Sequence, residues 1–224
     1  MDLDDQQSLP LKRKVVVKTL NLIKEAVQKY EPPLIFNVIE EYGKNSFLIL
    51  IACLLSLRAR DKVTHRVTTR LFSMAKTPQE ILSIPIDQLE TIIFEIGTYK
   101  RKAKILQSVS RELIERFKSQ VPNDKELLLS IKGVGQKTAN LVLAEAFNVP
   151  AICVDVHVHR IANCLGWVNT TTPEQTEKQL ELLVPKNQWI DVNHYLVMLG
   201  QNIRDIKKFC AQYSLTNLLQ KLDL

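Results

Sequence analysis

The sequence predicts an all-α fold, a bundle of roughly ten or more short helices, and three observations carry that prediction. Helix-opening caps recur from one end of the chain to the other, and the apolar residues between them repeat at helical spacing. The two-residue turn signals that close β-hairpins do not punctuate the chain. With 46 % hydrophobic and 24 % charged residues, 6 glycines and 9 prolines in 224 residues, the composition is that of a globular protein able to bury a substantial core.

Taken in order, residues 1–9 are polar enough to be expected as a loose tail. Leu20, Ile23, Ala26 and Val27 then share one helical face. Residues 47–57 are apolar almost all round, as in a central helix surrounded by others. Asp61 is expected to cap a helix over 62–74. In Thr77-Pro78-Gln79-Glu80 a hydroxyl cap, a proline at the first helical position and a carboxylate at the third satisfy orphan N–H groups, so a helix opens here. Along 101–118, Ile105, Leu106, Val109, Leu113 and Phe117 form an apolar stripe among charges. Asn123 with Glu126 is a weaker opening signal, and Thr172-Pro173-Glu174-Gln175 is a strong one before the helical pattern of Leu180, Leu183 and Val184. One segment reads differently: Ile152, Val154, Val156 and Val158 alternate, which suggests a strand or extended loop over 151–158.

The net charge of +6 and pI near 9.1 favour an acidic partner such as nucleic acid. Cys53, Cys153, Cys164 and Cys210 form no C-x-x-C pair, so neither a zinc ribbon nor a disulfide framework is indicated. Cys153, His157, His159 and Cys164 lie close in sequence but match no common zinc spacing, and no metal is expected there. The longest apolar run is too short for a membrane span, and no leader is evident. A soluble monomer without membrane association is expected, cytoplasmic and nucleoid-associated if the source is prokaryotic.

The most informative segment is Ile131-Lys132-Gly133-Val134-Gly135-Gln136-Lys137-Thr138-Ala139-Asn140. Two helical patterns meet at a Gly-x-Gly turn, where glycine permits unusual backbone angles and close approach of a partner. The N-terminus of the second helix can accept a phosphate oxygen without reading a base. This is a helix-hairpin-helix, with Lys132, Gly133, Val134, Gly135, Gln136 and Thr138 as the candidate DNA-contacting residues. Lys137 lies in the first turn of the second helix, where the helix dipole and burial would favour a neutral, nucleophilic amine.

Eighteen residues beyond Lys137 stands Asp155, in Val154-Asp155-Val156-His157-Val158-His159-Arg160. With this hairpin, lysine and aspartate, the chain resembles the endonuclease III family of helix-hairpin-helix DNA glycosylases. The likeness runs from about Phe47 to Gly200 and takes in Ile96-Gly97-Thr98-Tyr99, Lys102-Ala103 and Asn193-His194-Tyr195. The resemblance implies two helical domains with a DNA-binding cleft between them. One is a six-helix barrel with the hairpin over 36–149; the other is built from 1–35 and 150–224. It also implies that 151–158 is a loop leading into a helix, that Lys137 and Asp155 are the catalytic pair, and that His157 is a structural neighbour of the aspartate with His159 exposed. The partner implied is double-stranded DNA carrying damaged bases or abasic sites.

Departures from the family bear on substrate. Family members mostly end in a C-x6-C-x2-C-x5-C array holding an iron–sulfur cluster, whereas residues 204–213 here retain only Cys210, so no cofactor is expected. Leu215, Leu218, Leu219 and Leu222 are expected to form a helix in place of the cluster loop, with Lys207 and Lys208 as substitute DNA contacts. Arg58 stands where the family places a glutamine that fills the gap left by the flipped base, and arginine can hydrogen-bond an orphan base. Thr98 stands where some relatives insert a leucine wedge, with Tyr99 beside it, and Lys132 replaces a proline. Three functions remain open: a glycosylase and abasic-site lyase for oxidised pyrimidines, an abasic-site lyase or 8-oxoguanine glycosylase on the same fold, and a non-catalytic DNA-binding protein.

Overall fold

The computed structural model describes residues 3–214 and Asn217, with side chains from Leu9 onward. Among the described residues there is no β-strand, and no helix is long and apolar enough to cross a membrane. The chain divides into two compact units, residues 32–149 and residues 1–31 with 150–224.

The first of these units contains α2 (Leu34–Tyr42), α3 (Ser46–Ser56), α4 (Asp61–Phe72), α5 (Pro78–Ser83), α6 (Ile86–Ile92), α7 (Tyr99–Phe117), α8 (Lys125–Leu129) and α9 (Gln136–Phe147). Its centre is α3, whose residues Phe47 to Leu55 are all buried, with α2, α4, α7 and α9 packed around it. An unbroken apolar run makes this possible, and each fully buried Leu or Ile contributes about 1.5–3 kcal/mol. Asn45 opens the helix by accepting from the N–H groups of Phe47 and Leu48. α2 packs whole on α3 and α4, so the division of the chain falls before it, at 31/32.

The predicted Thr77 capping box is present: Thr77 Oγ1 accepts from Glu80 N–H at 3.2 Å, and Glu80 Oε2 accepts from Thr77 N–H at 3.0 Å. Thr172 accepts from Gln175 N–H in the same way. Two other expected caps are corrected. Asp61 is the first residue of α4 rather than its cap, and its Oδ2 accepts from Leu34 N–H at 3.2 Å, which satisfies an orphan donor at the start of α2 instead. α8 is capped by Asp124 and not Asn123, because the carboxylate that reaches Leu127 N–H is the one just before Lys125.

The other unit contains α1 (Leu3–Val27), α10 (Val156–Cys164), α11 (Pro173–Leu183), α12 (Trp189–Asn202) and α13 (Ile206–Tyr213). Val16, Leu20, Ile23 and Val27 of α1 meet Trp167, Leu180, Leu196 and Leu199 in its core. Residues 3–9, expected as a loose tail, instead belong to α1. Once the amphipathic part of a helix has formed, each further residue adds a hydrogen bond at little cost, and polarity alone does not stop it. The helix expected from Leu215, Leu218, Leu219 and Leu222 lies outside the described residues.

Residues 151–158 do not form a strand. Ala151, Ile152, Cys153 and Val154 are all buried, so the alternation never marked one buried and one solvated face. The segment instead runs in without regular structure, with Cys153 C=O accepting from Asn193 Nδ2 at 2.9 Å, and enters α10 at Asp155.

Candidate active site

The helix-hairpin-helix is α8, a turn over 130–135 and α9. Gly133 has φ +101°, and a Cβ there would lie 2.9 Å from Ile105 Cγ2 on α7, so both backbone angle and packing require glycine. Gly135 is different. Its φ of −99° suits any residue, and a Cβ would meet nothing within 4 Å. What its missing side chain provides is open space in front of α9, which begins without a side-chain cap. Lys132, Gly133 and Gly135 are exposed, and Gln136 and Lys137 are half-buried. Val134 and Thr138 are buried, which leaves their backbone groups rather than their side chains to face a partner.

Two residues that the sequence did not single out hold this turn. Glu112 of α7 accepts from Lys132 N–H at 3.1 Å and from Arg116 at 2.8 Å, while Arg116 donates to the Ser130 carbonyl and hydroxyl. The Lys132 amide is therefore committed to Glu112, and its exposed ammonium is the part left to meet a phosphate.

Lys137 follows Gln136 in the first turn of α9, and α9 packs on α3. Lys137 lies within electrostatic reach of the buried thiol of Cys53 in α3. Burial is the main influence and pushes that thiol up to about 12, with Lys137 pulling it down and the buried carboxylate of Glu145 pushing it up. The lysine is half-buried in the first turn of α9, within electrostatic reach of the unit's apolar centre.

Asp155 is the N-cap of α10. Its Oδ1 accepts from both His157 N–H and Val158 N–H at 2.9 Å, which fixes the carboxylate in one orientation and leaves Oδ2 outside the cap. His157 packs against Gly200 of α12, and its buried Nδ1 has no hydrogen-bond partner. His159, expected to be exposed, is half-buried, with Nδ1 2.7 Å from the hydroxyl of Thr176, because α11 packs on α10 at this point.

Arg58, Thr98 and Tyr99 all belong to the unit built around α3. Arg58 is exposed with φ +55°; Thr98 is exposed with φ +61°, its hydroxyl donating to Gly97 C=O at 2.6 Å; Tyr99 is half-buried at the start of α7. Two left-handed residues without glycine are costly backbone at the positions the sequence marked for recognition. Phe94, 59 % exposed and lying near the Arg70 guanidinium, is a further aromatic beside this loop that periodicity did not flag.

The donor set does not fit a four-thiolate iron–sulfur cluster. Cys53 is buried in the apolar α3, while Cys164 and Cys210 are neighbouring thiols. Among the described residues no group of three or more His, Cys, Asp or Glu side chains could hold a metal ion. Lys207 and Lys208 are exposed on α13.

Residues 51–186 match the family model described as HhH-GPD superfamily base excision DNA repair protein. The chain is 44 % identical over 157 residues to endonuclease III of Thermotoga maritima, covering 70 % of this chain and 74 % of that protein. It is similar to a solved non-covalent endonuclease III–DNA complex at 32 % identity and TM-score 0.77, covering 85 % of this chain and 86 % of the other. A trapped endonuclease III–DNA covalent intermediate, the estranged-adenine complex, is similar at 31 % identity and TM-score 0.74, covering 84 % and 86 %. The matched family region includes the hairpin, Lys137 and Asp155 alike.

Proposed function

Because the chain belongs to the endonuclease III family within the HhH-GPD superfamily of base excision DNA repair proteins, we propose that Lys137 and Asp155 carry its chemistry and that oxidised pyrimidines in duplex DNA are its substrates. The protein is a base excision repair DNA glycosylase with abasic-site lyase activity. Its structural relatives include DNA complexes, and it binds DNA. It acts as a monomer.

The damaged nucleotide must leave the stack, since its glycosidic carbon is inaccessible within the duplex. The Lys137 amine, as the free base, attacks C1′ and forms the C1′–N bond, while the C1′–base bond breaks and the base departs with that electron pair. Asp155, anionic and fixed through Oδ1, stabilises the positive charge that develops on the sugar ring. Loss of one proton from the attached nitrogen, followed by ring opening in which the nitrogen lone pair forms C1′=N and O4′ takes up a proton, gives a protonated Schiff base, which acidifies C2′. Removal of a C2′ proton then expels the 3′ phosphate and breaks the strand. Lys132, the hairpin turn and Gln136 hold the phosphate backbone without regard to sequence.

The observation that carries this reading is the start of α9: an uncapped helix N-terminus, open space at Gly135, and a half-buried lysine in the first turn. Borohydride trapping tests it on duplexes carrying thymine glycol, 8-oxoguanine or an abasic site. A covalent adduct is expected with the thymine glycol duplex, and none for Lys137→Ala. Adduct with the abasic duplex alone would limit the protein to lyase chemistry, and an adduct that persists in Lys137→Ala would remove the lysine from its role.

A further inference from the structure

Lys102 is a cation buried to 7 % exposure, and nothing in the lyase chemistry uses it. From the second turn of α7 its ammonium reaches across to the end of α3, donating to Leu55 C=O at 2.5 Å and to Leu57 C=O at 2.7 Å. Burial lowers its pKa to about 8, so the protonated form is held there at a cost that an apolar side chain of equal length would avoid. Such a cation needs a reason beyond filling space.

The reason lies in the turn it touches. Leu57 has φ −56° and ψ 116°, Arg58 has φ +55°, and Ala59 N–H donates to Ser56 C=O at 3.0 Å. These are the angles and the closing bond of a type II β-turn over 56–59, whose third position strongly favours glycine. Types I and II differ mainly by a flip of the central peptide, here Leu57–Arg58. Only one orientation of that peptide points the Leu57 carbonyl at the Lys102 ammonium. In the other, Arg58 would return to an ordinary negative φ and its side chain would leave in a different direction. The same lysine lies one helical turn after Thr98 and donates its own N–H to Thr98 C=O at 3.0 Å, so it bonds one left-handed loop residue and the residue just before the other.

We infer that Lys102 is a positioning residue for recognition: by gripping the Leu57 carbonyl it selects the flipped Leu57–Arg58 peptide and so aims Arg58 at the base left unpaired by the flipped nucleotide. This rests on the reading of Arg58 as the residue that fills the gap in the duplex. Electrostatic retention of the carbonyl takes the place of the glycine that the turn would otherwise require, and leaves the third position to a side chain long enough to reach a base edge.

The test is a ratio, the single-turnover excision rate with guanine opposite the lesion divided by that with adenine, from which any general loss of active enzyme cancels. Parent, Arg58→Ala, Lys102→Met, Lys102→Gln, the Arg58→Ala/Lys102→Met double variant and, on the exposed side of the same helix, Lys104→Met are compared on thymine glycol duplexes. Arg58→Ala and Lys102→Met are each expected to bring the ratio about tenfold closer to one, the double variant no further than either single, Lys102→Gln to retain part of the preference through its N–H donor, and Lys104→Met to match the parent. A parent indifferent to the opposite base, or an unchanged ratio in Arg58→Ala, removes the Arg58 reading and the inference with it. A changed ratio in Arg58→Ala beside an unchanged one in Lys102→Met overturns the Lys102 role alone. Failure of both Lys102 variants to fold would place the residue in the integrity of its unit and overturn the inference equally.

Discussion

The ring of His157 occupies the space that a side chain on Gly200 would need: a Cβ at 200 would lie 2.3 Å from Nδ1, 2.8 Å from Cγ and 2.9 Å from Cβ of the histidine. Rotating the ring cannot clear all three atoms, so the whole residue would have to move. His157 N–H is also one of the two donors that fix the Asp155 carboxylate. A helix–helix contact between α10 and α12 is thereby coupled to the orientation of a proposed catalytic group.

Gly200→Ala is therefore expected to cost about 1–3 kcal/mol by overpacking, read as a fall of several degrees in Tm. It should also slow excision beyond what the lost folded fraction explains, because the first turn of α10 is displaced. Unchanged stability in Gly200→Ala would show that the histidine relaxes at no cost and that the coupling is absent.

Asp155 has two roles that substitution can separate. Asparagine caps a helix about as well as aspartate, so Asp155→Asn is expected to keep stability within a few tenths of a kcal/mol while excision slows strongly. Asp155→Ala loses the cap as well and is expected to be less stable by about 1 kcal/mol. Thermal melts beside single-turnover rates make the comparison. Equal activity in Asp155→Asn and parent would confine the residue to capping.

What could be read from the sequence divides by how far apart the partners are. The Thr77 and Thr172 caps were legible because each hydroxyl finds its N–H within three residues. The central place of α3 was legible because burial on all sides leaves an unbroken apolar run. The 151–158 segment misled because its alternation coexists with burial of Ala151 and Cys153, which tertiary packing decides. His159 misled for the same reason, its partner Thr176 being on another helix. Glu112 was out of reach altogether, and Lys102, though part of the family likeness, gave no sign of what it bonds. Each bonds backbone atoms, 20 and 45 to 47 residues away respectively, and a backbone carbonyl or amide leaves no mark on the residue type that carries it.

The two hairpin glycines are expected to respond differently. Gly133→Ala forces a left-handed φ on an L-residue and sets its Cβ 2.9 Å from Ile105, so it should cost about 2 kcal/mol or more. Gly135→Ala fits the backbone and meets open space, so the melting temperature should stay near that of the parent while duplex affinity falls, the new methyl standing where a phosphate approaches. Denaturation and fluorescence anisotropy on one abasic-analogue duplex separate these outcomes. Unimpaired DNA binding by Gly135→Ala would mean that the hairpin does not grip the backbone at this point.

The buried lysine gives stability a pH dependence whose sign follows from its lowered pKa. Below about pH 8 Lys102 is protonated in both folded and unfolded chains, and its contribution does not change with pH. From about 8 towards its ordinary value of 10.5 the folded chain has released the proton while the unfolded chain still holds it, so this group makes stability rise with pH. Cys53 opposes it: burial pushes the thiol from 9.0 up to about 12, so between those values the unfolded chain has lost a proton that the folded chain retains, and stability falls. The two overlap above pH 9, and the informative quantity is the difference in unfolding free energy between parent and Lys102→Met measured by urea denaturation from pH 7 to 10. That difference should move in the parent's favour as pH rises, by on the order of 1–3 kcal/mol across the window. A Cys53→Ala background removes the opposing slope and should make the rise in the parent steeper. A difference that stays flat from pH 7 to 10 would mean that the Leu55 and Leu57 carbonyls hold the ammonium charged throughout.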